Sequence, residues 1–197
     1  LIWLYQQPVF AKAGYRVIAY SRRNYYNSDS APDENPGSAS VDLQNFVEYL
    51  GLNKFHLVSS AAGGSVAADY ALSHAERLLS LTVSSNNLAA RNGYIAEAAE
   101  RIKLKEWDDL PRWFRELGPS YRAVNPEGVA KWIELNEKSE TGRGARQNLV
   151  NVVTPEKLGT LRVRTLLMTG GADMFTSPSI MRMIARHVPN NKLVIVP

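Results

Sequence analysis

The stretch Leu57-Val58-Ser59-Ser60-Ala61-Ala62-Gly63-Gly64-Ser65-Val66-Ala67-Ala68 runs from an apolar strand into a helix. The turn between them holds no side chain larger than serine. Residues this small are needed where the backbones of a strand and a helix nearly touch. Taken alone, the segment fits a generic strand-to-helix turn as well as a reactive one. A dinucleotide-binding loop fits less well, because the GxGxxG spacing is missing.

Upstream, Phe55-His56-Leu57-Val58 supplies the strand. Before it, Leu43, Phe46, Val47 and Leu50 share one helical face, with Ser38 or Ser40 as cap and Gly51 as stop. Residues 21–37 are a loop by composition, Arg16–Tyr20 reads as a short buried strand, and residues 1–13 have helical apolar spacing ended by Gly14. Downstream, the small-residue helix runs from about Ala62 to Ser73, and Leu79–Ser84 is the next strand. Alternation of this kind implies a parallel sheet with crossover helices. Between about 88 and 153 the pattern is helical only, with helices expected over Ile95–Leu104, Trp107–Leu117 and Asn125–Ser139, and another opened by Thr154-Pro155-Glu156. Strand Arg164–Met168, helix Ser179–Val188 and strand Leu193–Val196 close the chain. The expected organisation is an α/β core, mainly parallel with helices on both faces, over residues 1–87 and 154–197, interrupted by a helical cap at 88–153.

Four stretches in this order resemble the α/β-hydrolase superfamily. Ser59-Ser60-Ala61-Ala62-Gly63-Gly64 is similar to its nucleophile elbow, usually GxSxG with a further glycine. Ala71-Leu72-Ser73-His74-Ala75-Glu76-Arg77-Leu78 resembles the following helix end, usually His-Pro-Glu-Arg. Gly14–Arg23 resembles the strand and arginine turn two elements earlier, and Leu166–Asp173 the late strand that delivers the catalytic acid. The resemblance implies an α/β-hydrolase fold and puts Ala61 at the nucleophile position, where it leaves no group that can attack. It also makes Ala62 N–H one oxyanion donor and Asp173 the acid. A turn aspartate that caps the following helix is the plainer reading of Asp173. By the same resemblance, the second oxyanion donor belongs before Leu1 and the catalytic histidine a few residues after Pro197. With its missing methionine and its terminal strand-like run, the sequence reads as part of a longer chain that lacks both ends of the fold.

Two departures stand out: Ser59 replaces a glycine of the elbow, and Asn24 and Tyr26 stand where the arginine turn usually has glycines. Both favour a natural Ala61 over a substitution engineered to trap a substrate. The bulkier loop would reshape the pocket mouth or sit as a solvated turn. His56 lies mid-strand, while His74 and His187 end helices, where a cation suits the helix dipole. None of them is expected at the base position. Ser60 and the cap aromatics Trp107, Trp113 and Trp132 are candidate pocket residues, although most such aromatics pack against their own helices.

Composition narrows the classes. With 23 Lys and Arg against 19 Asp and Glu, the net charge of +4 is too thin to suggest nucleic-acid binding. No cysteine means no thiolate nucleophile or thiolate metal site. No apolar run suits a membrane span, and acids and histidines never cluster at ligand spacing. The expectation is a cofactor-free, metal-free cytoplasmic protein, monomer or homodimer, hydrolase-like, acting on a small, largely apolar ester, lactone or related carbonyl compound. The alternatives are a non-catalytic small-molecule binder, or a cofactor-free lyase or oxygenase on the same fold.

Overall fold

The computed structural model describes residues 2–90, 93–139 and 144–197. Leu1 of the expected first helix, and residues 91–92 and 140–143 of the expected cap, lie outside that description. The chain forms two compact units, Leu1–Gly37 with Arg122–Asn148, and Ser38–Tyr121 with Leu149–Pro197.

The second unit holds the sheet. Its strands β1 (Phe55–Ser60), β2 (Leu78–Ser84), β3 (Thr165–Gly170) and β4 (Asn191–Val196) lie in the order β1-β2-β3-β4, all parallel. Residues Ser59, Val83, Leu167 and Leu193 are in register across it. Ser59, Val83 and Leu167 are buried, with Val83 and Leu167 fully so, whereas His56 and Val58 on the alternate face are exposed. Helix α3 (Gly63–Ser73) packs on β1 and β2, and α9 (Pro178–Ala185) on β3 and β4. Burying a leucine such as Leu81 or Leu167 from extended chain is worth roughly 2 kcal/mol, so this apolar layer dominates the unit's stability. Helix α2 (Ala39–Tyr49) packs on α3 through Leu43 and Val47, both buried.

Local chemistry sets the helix starts. Thr154 Oγ1 accepts from Lys157 N–H ahead of α8 (Pro155–Leu158), and Ser177 Oγ accepts from Ile180 N–H ahead of α9, each with proline next in the chain. Between β2 and β3 the regular elements of the described residues are helices, α4 (Tyr94–Ile102), α5 (Arg112–Glu116), α6 (Pro119–Val124), α7 (Pro126–Ser139) and the short α8, and none is a strand of the sheet. The expected single helix over Trp107–Leu117 is broken: a short 3-10 turn covers Trp107–Asp109, and Pro111 forces Leu110 to an extended ψ of 138° before α5 begins. Helix α6 was not expected. Compactness groups residues 88–121 with the sheet, and only 122–148 with the amino-terminal residues.

In the first unit, helix α1 (Gln6–Lys12) is shorter than the expected 1–13 helix and buries no side chain. The expected strand Arg16–Tyr20 is irregular and pairs with no strand among the described residues, leaving Tyr15 56% and Ile18 37% exposed. Strand propensity expresses packing against neighbours more than a backbone preference, and no described strand pairs with this segment. Asn24 and Tyr26 have φ of 70° and 50°. That left-handed backbone explains the family's glycines, and here Asn24 compensates with its side chain: Oδ1 accepts from Ala31 N–H at 2.7 Å and Nδ2 donates to Ala145 O at 2.8 Å. These bonds make Asn24 a brace of the loop.

Tyr70, fully buried in α3, donates to Gln44 Oε1 at 2.7 Å. Burial, only partly countered by nearby Arg77, raises its pKa above the ordinary tyrosine value. The unfolded chain therefore loses this proton first, and stability should fall as pH rises above about 10. Tyr70→Phe should flatten that alkaline limb in urea titrations at pH 9 to 11, while costing about 1 kcal/mol at neutral pH for the lost hydrogen bond.

Candidate functional site

All carboxyl ends of a parallel sheet lie on one edge, and three turns meet there. After β1, Ala61 takes φ of 46°, its N–H donates to Ser84 O at 3.0 Å, and its carbonyl accepts from Gly64 N–H at 2.9 Å. A left-handed alanine costs about 1–2 kcal/mol relative to the helical region, so this turn is held in strain by the strand and helix on either side. Ala62 follows at φ −54°, ψ −23° as the first residue of the helical path. Its N–H belongs to the first turn, where N–H groups have no partner inside the helix. Ala61 and Ala62 are both exposed.

After β3, Asp173 is half-buried in the turn before α9. Its Oδ1 accepts from Phe175 N–H at 2.8 Å and Thr176 N–H at 2.7 Å. Among the described residues its Oδ2 has the Thr169 hydroxyl at 3.1 Å, which also reaches Thr176 O at 2.6 Å. One hydroxyl carries one proton, and the nearer acceptor is the Thr176 carbonyl. Oδ2 is thus the oxygen left able to accept a further donor. Asp173 builds the turn but does not cap the following helix, since Ser177 is the cap of α9 and the Oδ1 partners lie before it; Oδ2 stays available. Because β2 separates β1 from β3, the two turns are about 10 Å apart at ordinary strand spacing.

The third turn follows β2, between them. Ser85, Leu88 and Ala89 have φ of 52°, 55° and 59°, and Ser85 N–H donates to Met168 O at 2.8 Å. Asn86 lies on the first turn of α3 and its Oδ1 accepts from Leu88 N–H at 2.7 Å. The sequence reading missed Asn86 and Thr169. Two adjacent asparagines directly after a strand were the available signal for Asn86, whereas Thr169 resembles any other strand residue.

Trp107 is 7% exposed and packs edge-on against Phe175 with centroids 4.8 Å apart, and Arg115 lies over its ring at 5.7 Å. It therefore braces the acid turn that contains Phe175. Trp113 meets its neighbour Phe114 edge-on. Trp132 lies in α7 of the other unit and is half-buried. Ser60 ends β1 in register with Ser84. The histidines are engaged elsewhere: His56 with Ser80 Oγ, His74 against the Tyr70 ring, and His187 with the Tyr94 hydroxyl. A cleft of about 270 Å³ lined by Glu48, Gly51, Leu52, Asn53 and Arg77 opens at the amino ends of β1 and β2, on the opposite edge. No group of His, Cys, Asp or Glu among the described residues is arranged to hold a metal ion, and no described helix is long and apolar enough to cross a membrane.

Ala61→Gly should stabilise the protein by about 0.5–1 kcal/mol, the left-handed penalty less glycine's added entropy. Urea unfolding of the two proteins measures this, and a loss of stability would show that the Ala61 methyl packs rather than strains.

A strand–elbow–helix unit with a carboxylate turn two strands away is the arrangement of α/β hydrolases. The chain belongs to that family: its sequence profile, described as alpha/beta hydrolase fold, matches residues 1–126. The 2-hydroxy-6-oxononadienedioate/2-hydroxy-6-oxononatrienedioate hydrolase of Burkholderia vietnamiensis is 33% identical over 212 residues, covering 93% of this chain and 69% of that protein. The 3-oxoadipate enol-lactonase 1 of Acinetobacter baylyi is 24% identical over 203 residues, covering 98% and 75%. A crystal structure of a hydrolase from Pseudomonas aeruginosa superposes with a TM-score of 0.74 at 20% identity, covering 100% of this chain and 76% of that one.

Proposed function

We propose that this protein binds a small carbonyl compound, an ester or lactone, over the turns at Ala61 and Asp173, and hydrolyses it without a covalent acyl-enzyme. The observation that carries this is Ala61 itself: the strained backbone of the elbow is kept while its side chain has no group to attack. Ala62 N–H would stabilise the developing oxyanion. Asp173, through Oδ2, would orient an imidazole that deprotonates water standing where the family's hydroxyl would be. Residues 88–153 would serve as the cap, with Trp107, which packs on Phe175 of the acid turn, as its first pocket residue, Trp113 and Trp132 as further ones, and Ser60 beside the elbow. The relatives are named as a lactonase and as a hydrolase of keto-diacids, which supports a carbonyl substrate.

Ala61 equally suits a protein that only binds such a compound, and the same experiment separates the two. The complete protein is mixed with an activated aryl ester in excess, and the first turnover and the intact mass are recorded. The proposal expects slow steady release with no burst and no acyl adduct, lowered about a hundredfold or more in Asp173→Asn. A burst with a mass adduct overturns it. Saturable binding without turnover supports the binding-only reading instead.

A further inference from the structure

The chain passes between its two compact units at 37/38, 121/122 and 148/149. Within each unit, the segments that flank 37/38 and 148/149 are bonded together. On the side of the first unit, Asn148 N–H donates to Gly37 O at 3.1 Å and Gln147 Nε2 to Pro36 O at 3.2 Å. On the side of the second unit, both connections end on one side chain, Asp69 of α3, which is completely buried. Its Oδ2 accepts from Ser40 Oγ at 2.5 Å and from Val150 N–H at 2.9 Å. Its Oδ1 accepts from Asn151 N–H at 2.8 Å and from Asn151 Nδ2 at 2.9 Å. Ser38 Oγ stands 2.9 Å from Ser40 Oγ, and Asn151 Nδ2 also donates to Ser73 Oγ at 2.8 Å.

We propose that Asp69 is a clasp that locks residues 38–40 and 149–151 to each other and to α3 within the second unit, so that these two segments loosen only together. This goes beyond the chemistry proposed at the elbow and does not depend on it. An ionised carboxylate offers about four acceptor positions and no donor, and here donors from the two connections fill them. The residues brought together are 29, 81 and 82 positions apart in sequence, so no local turn accounts for the arrangement. A core aspartate serving only its own helix would need none of these partners. The clasp also shares a rigid element with the elbow: Asp69 lies about 12 Å along α3 from Ala61 at the helical rise.

Hydrogen exchange of the complete protein, read by mass spectrometry, tests this. Asp69→Asn keeps the side-chain volume but turns an amide NH2 toward two of the donors. Exchange in residues 38–41 and 149–152 should rise together by at least about tenfold, with β1 and β3 unchanged within about twofold. The decisive arm is Ser40→Ala, which removes one donor from the first connection. It should speed exchange in 149–152, on the other connection, by about fivefold, and Asn151→Ala should do the same to 38–41. These two variants decide the matter even if Asp69→Asn does not fold. Ser40→Ala loosening only its own segment, or Asp69→Asn loosening β1 and β3 as much as residues 38–41 and 149–152, overturns the proposal.

Discussion

Ala61→Ser in the complete protein should create ester hydrolysis through an acyl-enzyme, with activity at least about 10³-fold above that of the unaltered chain. Removing the serine from an intact triad costs about 10⁶ in kcat in a well-studied serine hydrolase. A serine that recovers only half of that free energy gives about 10³. The recovery rests on the elbow backbone at φ 46°, on the Ala62 N–H as the proposed oxyanion donor, and on Asp173 as the proposed acid, whose Oδ1 is held by two backbone N–H groups. Burst kinetics with an activated ester and a mass increase equal to the acyl group are the readouts. Asp173→Asn in the Ala61→Ser background should remove most of the gain, about 10³–10⁴ where the acid holds the base in its tautomer. No gain on adding the serine would mean that the base or the pocket has been remodelled, and would favour the binding-only reading.

The central strand–turn–helix–strand was legible because its signals are local and consistent. Tiny residues at 59–64 demand close backbones, and the apolar runs on either side fall in parallel register. That Asp173 sits in a turn was legible from its place after an apolar strand and before Pro178. What failed to show was everything that depends on a distant partner. Arg16–Tyr20 has strand composition, yet composition does not supply a pairing neighbour. Asn24 and Tyr26 looked like lost glycines, whereas the backbone keeps the glycine conformation and Asn24 repays the strain with bonds to Ala31 and Ala145. Asp69 offered one overlooked signal, a lone acid in the small-residue run Ala67-Ala68-Asp69-Tyr70-Ala71. A charge on that apolar face needs partners, but nothing near it in sequence names Ser40 or Asn151.

Gly64→Ala should destabilise the protein by about 2–3 kcal/mol, as expected for overpacking a tight contact. Helix propensity alone points the other way, since alanine inside a helix is better than glycine by up to about 1 kcal/mol. The sign therefore decides between propensity and contact. A methyl at position 64 would fall 2.4 Å from Asn86 Cβ, 2.6 Å from its Cγ and 2.7 Å from its Oδ1. The nearest atom is the root of the asparagine side chain, which no rotamer change can move. Its tip is fixed by the Leu88 N–H, and its backbone sits among the left-handed residues Ser85, Leu88 and Ala89. Either that turn or the start of α3 must shift, and both border the elbow. Asn86→Gly alone should cost about 1 kcal/mol for the lost bond to Leu88. In the Gly64→Ala background the same change should recover about 1–2 kcal/mol, giving a coupling well outside additivity. Urea unfolding of the two single variants and the double variant closes the cycle, and simple additivity would show that the turn after β2 does not rest on the elbow helix.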